Sequence, residues 1–318
     1  MNIKDHQVLR VAELYYKQEI SQQEISKLLG VSRPTVSRMI QEAKRRGFVS
    51  ININTPVELD YKLSDQLKNT FDLKDVLVVK TDDENSDVTL KRVGYVASRF
   101  LLSLLEPNDR IGISWGRTIK HVVDSITDTD LSNVDVIQLV GSLGSGDPAI
   151  DGPELAYKMA ERFKGTYKYI NSPAVVSDEQ VKNALLHQQQ IQEVLQVAES
   201  CKIVIMGLGS LSEKNSSLHR TGYLEETKRK EYLEKGVVGH ILAQMVDEKG
   251  EKVNLPNNYV VGVPLESLLN KKWSIGVVGH SFKNDITLAA IRGKYINSLV
   301  IDEFTAKKVL NHEGWQVK

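Results

Sequence analysis

The most constraining feature of the sequence is a series of helix start and stop signals between residues 21 and 38. Ser21 and Glu24 have the spacing of a capping box, in which each side chain caps a backbone amide of the other residue. Gly30 suits the left-handed conformation that ends a helix. Ser32 and Pro34 are favoured residues at the start of the next helix. Two helices joined by so short a turn indicate a helix-turn-helix.

The helix predicted after this turn has one apolar face and one polar face. Val36, Ile40 and Ala43 lie on the apolar face at helical spacing. An earlier helix is predicted around residues 8–15, and residues 48–53 alternate at period two, which indicates a strand. Helix, capped helix, turn, third helix and strand together describe a winged helix-turn-helix. Such a fold places its third helix in the major groove of DNA.

The polar face of the third helix carries side chains that suit DNA. Arginine presents a planar fork to guanine and glutamine pairs with adenine, while hydroxyls near a helix start bind phosphates. The predicted DNA-binding residues are Arg33, Thr35, Ser37, Arg38, Gln41, Lys44, Arg45 and Arg46. Lys44, Arg45 and Arg46 are expected to contact phosphates. The alternative is a small helical domain with a solvated polar face.

Charge is distributed unevenly along a chain that is neutral as a whole. Residues 1–55 hold nine Lys or Arg against five Asp or Glu, whereas the 318-residue chain has 41 of each kind. Basic clustering is typical of proteins that bind a phosphate backbone. The single cysteine, Cys201, excludes an internal disulfide and a cysteine-based zinc finger. No apolar stretch is long enough to span a bilayer, and the sequence indicates a cytoplasmic protein.

Beyond residue 72, short apolar runs alternate with amphipathic segments. The runs predicted as buried parallel strands are 75–80, 110–114, 134–140, 202–208, 273–278 and 297–301. The predicted helices are near 88–105, 117–127, 152–163, 178–200, 226–235, 284–292 and 303–311. This alternation predicts an α/β body with a doubly wound sheet. We therefore divide the chain into a winged helix-turn-helix at 1–55, a linker with a connecting helix at 56–72, and the α/β body at 73–318.

Four of the predicted strands end in loops that are rich in glycine or hydroxyl residues. These loops are residues 112–118, 141–146, 207–210 and 279–283. Ligands of open α/β sheets bind at the carboxyl ends of strands, where glycine lets backbone amides approach an anion. Lys283 adds a point charge for a phosphate. Ordinary βα turns require glycine as well, but four such loops on one sheet favour a phosphate-bearing small ligand.

Five short motifs follow one another along the chain, two in the predicted DNA-binding unit and three in the predicted α/β body. Residues 22–25 (QQEI) and 29–38 (LGVSRPTVSR) are followed by 111–116 (IGISWG), 206–209 (MGLG) and 293–297 (GKYIN). In these motifs the chain resembles the SorC family of bacterial sugar-responsive transcription regulators, which includes the deoxyribonucleoside regulators. The resemblance covers essentially the whole chain.

The resemblance implies an α/β body similar to glucosamine-6-phosphate deaminases and pentose-phosphate isomerases, adapted to sense a phosphorylated sugar. By position, it implies effector contacts from Gly112, Ser114, Thr118, Gly141, Ser142, Gly144, Gly207 and Gly209, with Lys283 at the phosphate. It further implies a homodimer or homotetramer that binds double-stranded operator DNA, as a repressor or an activator. We expect no cofactor and no metal.

Three positions depart from the family pattern. His240 stands where the family commonly has an Asp that binds sugar hydroxyls, and His280 stands where it has a second Gly before the Lys. Both histidines join the predicted effector-binding residues, and the sugar end of the site is expected to differ. Val140 replaces a Lys that can form a Schiff base in some relatives, so we expect non-covalent binding.

Two functions remain open from the sequence. The first is a DNA-binding regulator controlled by a phosphorylated sugar. The alternative is a phosphosugar deaminase- or isomerase-like enzyme that carries a DNA-binding head. Such an enzyme needs a general base placed near the sugar carbon, and no Asp-His-Glu relay is evident. We therefore predict a regulator without catalytic residues.

Overall fold

The computed structural model describes residues 3–49, 57–84, 86–127, 129–144, 147–213 and 216–312. The chain divides into two compact units, an N-terminal unit (Met1–Pro56) and a C-terminal unit (Val57–Lys318). The helices are α1 Ile3–Tyr16, α2 Gln22–Leu29, α3 Arg33–Arg45, α4 Tyr61–Phe71, α5 Asp87–Leu104, α6 Arg117–Asp124, α7 Gly152–Arg162, α8 Glu179–Leu186, α9 Gln189–Ser200, α10 Ser217–Arg220, α11 Glu226–Glu234, α12 Asn284–Arg292 and α13 Glu303–His312. The strands are β1 Asp75–Val79, β2 Arg110–Ile113, β3 Asp135–Gln138, β4 Tyr167–Lys168, β5 Val175–Val176, β6 Ile203–Gly207, β7 Gly209–Ser210, β8 Val237–Ile241, β9 Gln244–Asp247, β10 Tyr259–Val260, β11 Trp273–Val278 and β12 Ser298–Asp302.

The N-terminal unit contains the predicted helix-turn-helix, formed by α2 and α3. The capping box is present: Ser21 Oγ accepts a hydrogen bond from the Glu24 amide at 3.3 Å, and the Glu24 carboxylate accepts one from the Ser21 amide at 3.1 Å. Gly30 ends α2 in the left-handed conformation, with φ of 65°. Ser32 caps α3 by accepting from the Thr35 amide. The predicted strand at 48–53 lies, from residue 50 onward, outside the described residues.

The apolar faces of α1, α2 and α3 form a small core of their own. Val11, Ile25 and Val36 are fully buried there, together with most of Ile40. Val36 and Ile40 are two of the positions that the helical spacing of the third helix predicts to be buried. Burial of this face leaves the opposite face of α3 exposed to solvent.

The C-terminal unit is built on a seven-stranded sheet with the order β1-β12-β11-β6-β2-β3-β4. All neighbouring strands in it pair in parallel. Parallel sheets are covered by helices on both faces, so their strands consist of nearly continuous apolar residues. All six strands predicted from apolar runs belong to this sheet, and β4 completes it.

The helices that connect the strands lie on two faces of the sheet. From β2 the chain proceeds to β3 and β4, and from β6 it proceeds in the opposite direction to β11 and β12. Because crossover connections between parallel strands are right-handed, opposite directions place the connecting helices on opposite faces. The sheet is therefore doubly wound, and its direction reverses between β2 and β6. A crevice opens at the carboxyl ends of the strands at such a point.

Two features of the C-terminal unit differ from the prediction. The helix expected at 178–200 is interrupted, and α8 ends at Leu186 before α9 begins at Gln189. Strands β7, β8 and β9 form a small antiparallel sheet that the sequence did not indicate. The strands of this sheet have only two to five residues, too few for a clear alternation. The predicted connecting helix is present as α4 and packs on β1 through Leu63 and Leu67, which belong to the main core.

Candidate functional site

A narrow cavity of about 50 Å³ lies at the crevice between the carboxyl ends of β2 and β6. The loop after β2, the loop after β6, strand β8 and the turn after β11 enclose it. Its lining consists of Leu90, Trp115, Gly116, Arg117, Thr118, Gly207, Leu208, Gly209, Ser210, Ser217, Arg220, His240, His280 and Lys283.

The structure brings together six of the eleven residues predicted to bind the effector. Thr118, Gly207, Gly209, His240, His280 and Lys283 line the cavity. Ser114 lies directly next to it, because its Oγ accepts a hydrogen bond from the Gly207 amide at 3.2 Å. This bond ties together the ends of β2 and β6 below the cavity.

The other four predicted residues do not line this cavity. Gly112 lies inside the sheet, where a Cβ would come within 2.5 Å of the Leu139 side chain. Gly141 packs closely against the Pro173 carbonyl, and Ser142 is paired with Pro173 in an isolated bridge. Both residues support the chain path between β3 and the segment that follows β4.

Gly144 belongs to a loop whose backbone amides already have an anionic partner. The Asp151 carboxylate accepts hydrogen bonds from the Leu143 amide at 2.7 Å and from the Gly144 amide at 2.9 Å. A carboxylate of the chain itself thus occupies the donors that the glycine pattern suggested for a ligand.

Three positively charged side chains surround the cavity. They are Arg117 at the start of α6, Arg220 at the end of α10 and Lys283 in the turn after β11. Among the described residues, none of the three has a hydrogen-bond or ion-pair partner for its charged group, and the described lining contains no Asp or Glu. Arg117 and Arg220 were not among the predicted ligand-binding residues. For Arg117, the signal was an arginine at the first position of a helix that follows a strand and Gly116.

The cations influence one another because they are close and partly removed from water. Burial, together with the charges of Arg117 and Arg220, lowers the pKa of Lys283 to about 8, although Asp302 acts in the opposite direction. Burial and the neighbouring Arg220 also lower the pKa of Arg117. Like charges held together without a counter-ion favour the binding of an anion.

His240 is a buried imidazole that points into the cavity without a partner. The side chain is only 3% exposed, and neither Nδ1 nor Nε2 has a hydrogen-bond partner in the described chain. Burial, and then the charge of Lys283, lower its pKa to about 3, so the ring is neutral at physiological pH. Buried polar atoms normally have partners, and two such atoms at a cavity indicate a ligand or ordered water.

His280 forms another part of the wall. Its ring stacks on Phe282 with centroids 5.0 Å apart, and its Nδ1 has no partner among the described residues. Burial, followed by the charges of Lys283 and Arg117, lowers its pKa to about 4. At neutral pH both histidines offer one donor and one acceptor each and carry no charge.

The N-terminus of α6 completes the anion-attracting arrangement. Gly116 precedes this helix with φ of 112°, and no side chain caps the first turn. The free amides of a first helical turn carry partial positive charge and bind phosphate groups well. Arg117 and Thr118 therefore contribute backbone amides as well as side chains to the same wall, whereas the Gly116 amide already donates to the Ile150 carbonyl at 2.9 Å.

A larger groove of the C-terminal unit, about 930 Å³, lies elsewhere, between α8, α9 and the segment after β9. Its lining carries both signs of charge, with Glu179 and Glu199 as well as Lys182 and Lys252. None of the unpartnered buried polar atoms found in the described chain belongs to it. The small cavity at the strand ends is therefore the stronger candidate for a specific ligand.

The exposed face of α3 forms a candidate DNA-binding surface. Arg33, Arg38 and Gln41 are exposed, and their side chains have no polar partner in the described residues. Ser37 is half-buried on the flank, and the Thr35 hydroxyl is hydrogen-bonded to Ser32. The side chains that can reach base edges are thus free to do so.

The three basic residues expected at phosphates differ in their present contacts. Arg45 and Arg46 both bind the Glu42 carboxylate, and Arg46 also pairs with Asp5 at 2.5 Å. These arginines hold the pKa of Glu42 at about 2. Lys44 instead lies over the Tyr16 ring. Exposed ion pairs are weak, so Arg45 can exchange Glu42 for a phosphate at little cost.

Comparisons with known proteins agree on both units. The model of the family described as "Putative sugar-binding domain" matches residues 55–311, and that of the "Crp-like helix-turn-helix domain" matches residues 8–60. The chain is 29% identical to the deoxyribonucleoside regulator of Bacillus subtilis over 95% of this chain and 96% of that one. It is 27% identical to the sorbitol operon regulator of Klebsiella pneumoniae over 95% and 97%. The crystal structure of that full-length regulator, SorC, superimposes with a TM-score of 0.72, covering 98% of this chain and all of the other.

The chain belongs to the SorC family of sugar-binding transcriptional regulators. The matched sugar-binding segment of this SorC-family chain contains the whole cavity, and the matched helix-turn-helix segment contains α2 and α3. Within the described residues, the SorC-family chain has no helix that is both long and apolar enough to cross a membrane.

Proposed function

We propose that this chain regulates transcription by binding operator DNA through α3, and that a phosphorylated sugar bound non-covalently in the cavity controls this binding. The observation that supports the phosphate is the meeting of Arg117, Arg220 and Lys283 at one cavity without a carboxylate in its described lining. A phosphate monoester carries a charge of about −1.5 to −2 at neutral pH and three strong acceptor oxygens. Arg forks and a Lys ammonium are its preferred side-chain partners.

The phosphate position follows from the elements that meet at the cavity. The uncapped first turn of α6 supplies backbone amides, and Thr118 adds a hydroxyl from the same turn. Lys283 faces this turn from the end of β11. We assign the phosphate to the space between them, and the remainder of the sugar to the side of Gly209 and His240. Gly207 leaves room for the ligand at the end of β6, whereas the space beside Gly209 is occupied by the His240 imidazole.

The class of ligand is supported by the relatives. Two similar proteins are named for carbohydrate compounds, a deoxyribonucleoside regulator and a sorbitol operon regulator. Ligand sites in proteins have volumes of roughly 300–1,000 Å³, whereas this cavity has about 50 Å³. The long side chains of Arg117, Arg220 and Lys283 fill much of the mouth, and they have to turn outward around a bound phosphosugar.

The DNA-binding half of the proposal rests on α3. Arg33, Arg38, Gln41 and the flanking Ser37 would contact base edges, while Thr35, Lys44, Arg45 and Arg46 would contact phosphates. One such helix reads only a short half-site. We therefore propose that the protein acts as a homodimer or homotetramer on a palindromic or repeated operator, in the cytoplasm where bacterial DNA lies.

A regulator accounts for the cavity better than an enzyme does. General bases work best when their pKa lies near the working pH, and the pKa values of His240 and His280 are lowered to about 3 and about 4. The described lining contains no carboxylate, and Lys283, whose pKa is lowered to about 8, is assigned to the phosphate and not to a carbon atom of the sugar. A turnover assay with phosphosugars is the direct check, and measurable deamination or isomerisation would favour the enzyme. The predicted relation of the sheet unit to sugar-phosphate deaminases and isomerases remains part of this proposal.

A thermal-shift screen tests the effector. The purified full chain is heated with phosphorylated pentoses, hexoses and their amino and polyol forms, and the non-phosphorylated sugars serve as controls. A ligand at 100 times its dissociation constant adds about 2.7 kcal/mol of stability. Lys283→Ala should remove the shift, whereas Lys168→Ala, which alters an exposed lysine on β4 outside the cavity lining, should retain it. The absence of a shift with every phosphate ester would overturn the proposal.

A further inference from the structure

The described lining of the cavity has few side-chain hydrogen-bond acceptors: the hydroxyls of Thr118, Ser210 and Ser217, and one ring nitrogen of each of the two histidines. Arg117, Arg220 and Lys283 only donate, and the indole N–H of Trp115 already donates to the Gly141 carbonyl at 3.0 Å. No Asp, Glu, Asn or Gln side chain is present among the described lining residues. Each hydroxyl of a buried polyol brings an O–H that needs an acceptor, and an unpaired buried donor is costly. The cavity therefore suits a ligand whose own groups mainly accept.

The charges lead independently to the same conclusion. A phosphate ester neutralises at most about two of the three cations. Two carboxylates outside the lining act on these cations, Asp302 on Lys283 and Asp87 on Arg117. Both also have other partners: Asp302 accepts hydrogen bonds from the amide and the hydroxyl of Thr305, and Asp87 pairs with Lys91 at 3.0 Å and with His121 at 3.3 Å. Within the described lining itself, the three cations carry one formal positive charge more than a phosphate ester neutralises.

His240 lies where the second group of the ligand would be placed. Its unpartnered ring nitrogens face the cavity beside Gly209 and Trp115, whose ring centroid is 6.1 Å from that of the imidazole. A neutral imidazole donates one hydrogen bond, and a bond to a charged acceptor is about twice as strong as a neutral one. A carboxylate at this position would accept the hydrogen bond from His240 and would also pair with the remaining positive charge.

We propose that the effector is a phosphorylated sugar acid, with a phosphate ester at one end of a short carbon chain and a carboxylate at the other. This inference rests on the proposed function, since it assumes that a phosphate ester binds the cavity. His240 and one of the arginines receive the carboxylate. A carboxylate fits the charge left over by the phosphate and is smaller than a second phosphate group, which matters in so narrow a cavity.

Isothermal titration of the full chain with matched ligands tests the inference. The pairs are 4-phosphoerythronate with erythritol 4-phosphate, and 6-phosphogluconate with glucitol 6-phosphate. Within each pair only the terminal group changes, from a carboxylate to a hydroxymethyl group. We expect at least one acid to bind ten times or more tightly than its polyol partner. Fructose 1,6-bisphosphate is included as a ligand with two phosphates.

Variants at His240 locate the carboxylate. His240→Asp places a negative charge at the expected position and should reverse the preference in favour of the polyol phosphate. His240→Gln keeps a neutral donor and should retain the preference for the acid. His187→Asp introduces the same charge change at an exposed residue outside the cavity lining and should leave the preference as it is in the wild type.

The outcomes separate the inference from the proposed function. Preference for the acid in the wild type, reversed in His240→Asp, supports the inference. Equal or tighter binding of the polyol phosphates or of the bisphosphate overturns it and leaves the phosphosugar site intact. Binding of no phosphate ester overturns both. Should His240→Asp not fold, the wild-type comparison and His240→Gln decide the matter on their own.

Discussion

Gly209 and His240 are paired across strands β7 and β8, and a Cβ placed on Gly209 would lie only 2.0 Å from Nε2 of His240. The missing side chain at Gly209 therefore provides the space that the imidazole occupies. This relationship links a glycine of the loop after β6 to the one buried histidine in the described lining whose two ring nitrogens both lack partners. It predicts that the two positions are energetically coupled.

Gly209→Ala should displace the imidazole and lower the free energy of unfolding by about 1–3 kcal/mol, the usual cost of overpacking. His240→Ala removes the ring, so the same Gly209→Ala change in that background should cost much less. Urea unfolding followed by tryptophan fluorescence measures this, since Trp115, Trp273 and Trp315 all belong to the C-terminal unit. If Gly209→Ala lowered the free energy of unfolding equally in the wild type and in His240→Ala, the contact with His240 would not be the cause of the destabilisation.

Ligand affinity should depend on pH through Lys283. Its pKa in the free protein is lowered to about 8, and a bound phosphate raises it by favouring the charged form. Affinity is thus highest below pH 8 and falls as the pH rises above 8, by up to tenfold per pH unit. The charged groups that act on this ammonium are Arg117, Arg220 and the buried Asp302, and the Asp302 carboxylate accepts a hydrogen bond from the Thr305 amide.

Titrations of a phosphosugar from pH 7 to 9.5 check this dependence. The phosphate stays dianionic in this range because its second pKa is about 6, and the pKa values of His240 and His280 lie far below it. Lys283→Arg keeps its charge throughout and should give a flat profile. A flat wild-type profile, or an unchanged slope in Lys283→Arg, would assign the pH dependence to another group.

Operator recognition should depend differently on two arginines of α3. Arg38 is exposed and has no polar partner among the described residues, so Arg38→Ala should weaken operator binding by about 1–3 kcal/mol and relax base choice at one position. Arg45→Ala should weaken binding to all DNA sequences alike. It should also reduce the slope of the logarithm of affinity against the logarithm of salt concentration by about one. Fluorescence anisotropy on an operator selected from random DNA measures both. Unchanged affinity of Arg38→Ala would remove this residue from the interface.

The capping box predicts a local stability effect in the N-terminal unit. Ser21→Ala removes the hydroxyl that accepts from the Glu24 amide and should destabilise α2 by about 1 kcal/mol. Ser21→Asp keeps an acceptor at the cap and serves as the matched control. Hydrogen exchange of the α2 amides measures the change. Equal protection in the wild type, Ser21→Ala and Ser21→Asp would show that the cap does not stabilise α2.

The sequence predicted those parts of the molecule that local signals determine. Buried parallel strands require continuous apolar runs, so β2, β6 and β11 could be recognised directly. The helix-turn-helix could be recognised because its caps, such as Ser32 and Gly30, act within a few residues. For the same reason Lys283, which follows a strand end, was found as a candidate ligand residue.

The sequence could not predict contacts that arise only from tertiary packing. Arg117 and Arg220 are far apart in the chain, and only the position of the short helix α10 brings them to one cavity. The pairing of Gly209 with His240 depends on β7, a strand of two residues. Nor could a glycine pattern show that Asp151 already occupies the amides at Gly144.

If the two units are coupled, a bound phosphosugar must change the affinity of the protein for its operator. The full-length protein is titrated onto the selected operator by fluorescence anisotropy, with and without the phosphate ester that gives the largest thermal shift. We expect the dissociation constant to change at least fivefold, in either direction. The change should be lost in Lys283→Ala, whose operator affinity without ligand equals that of the wild type. Identical affinities with and without ligand in the wild type would contradict the coupling of the two units.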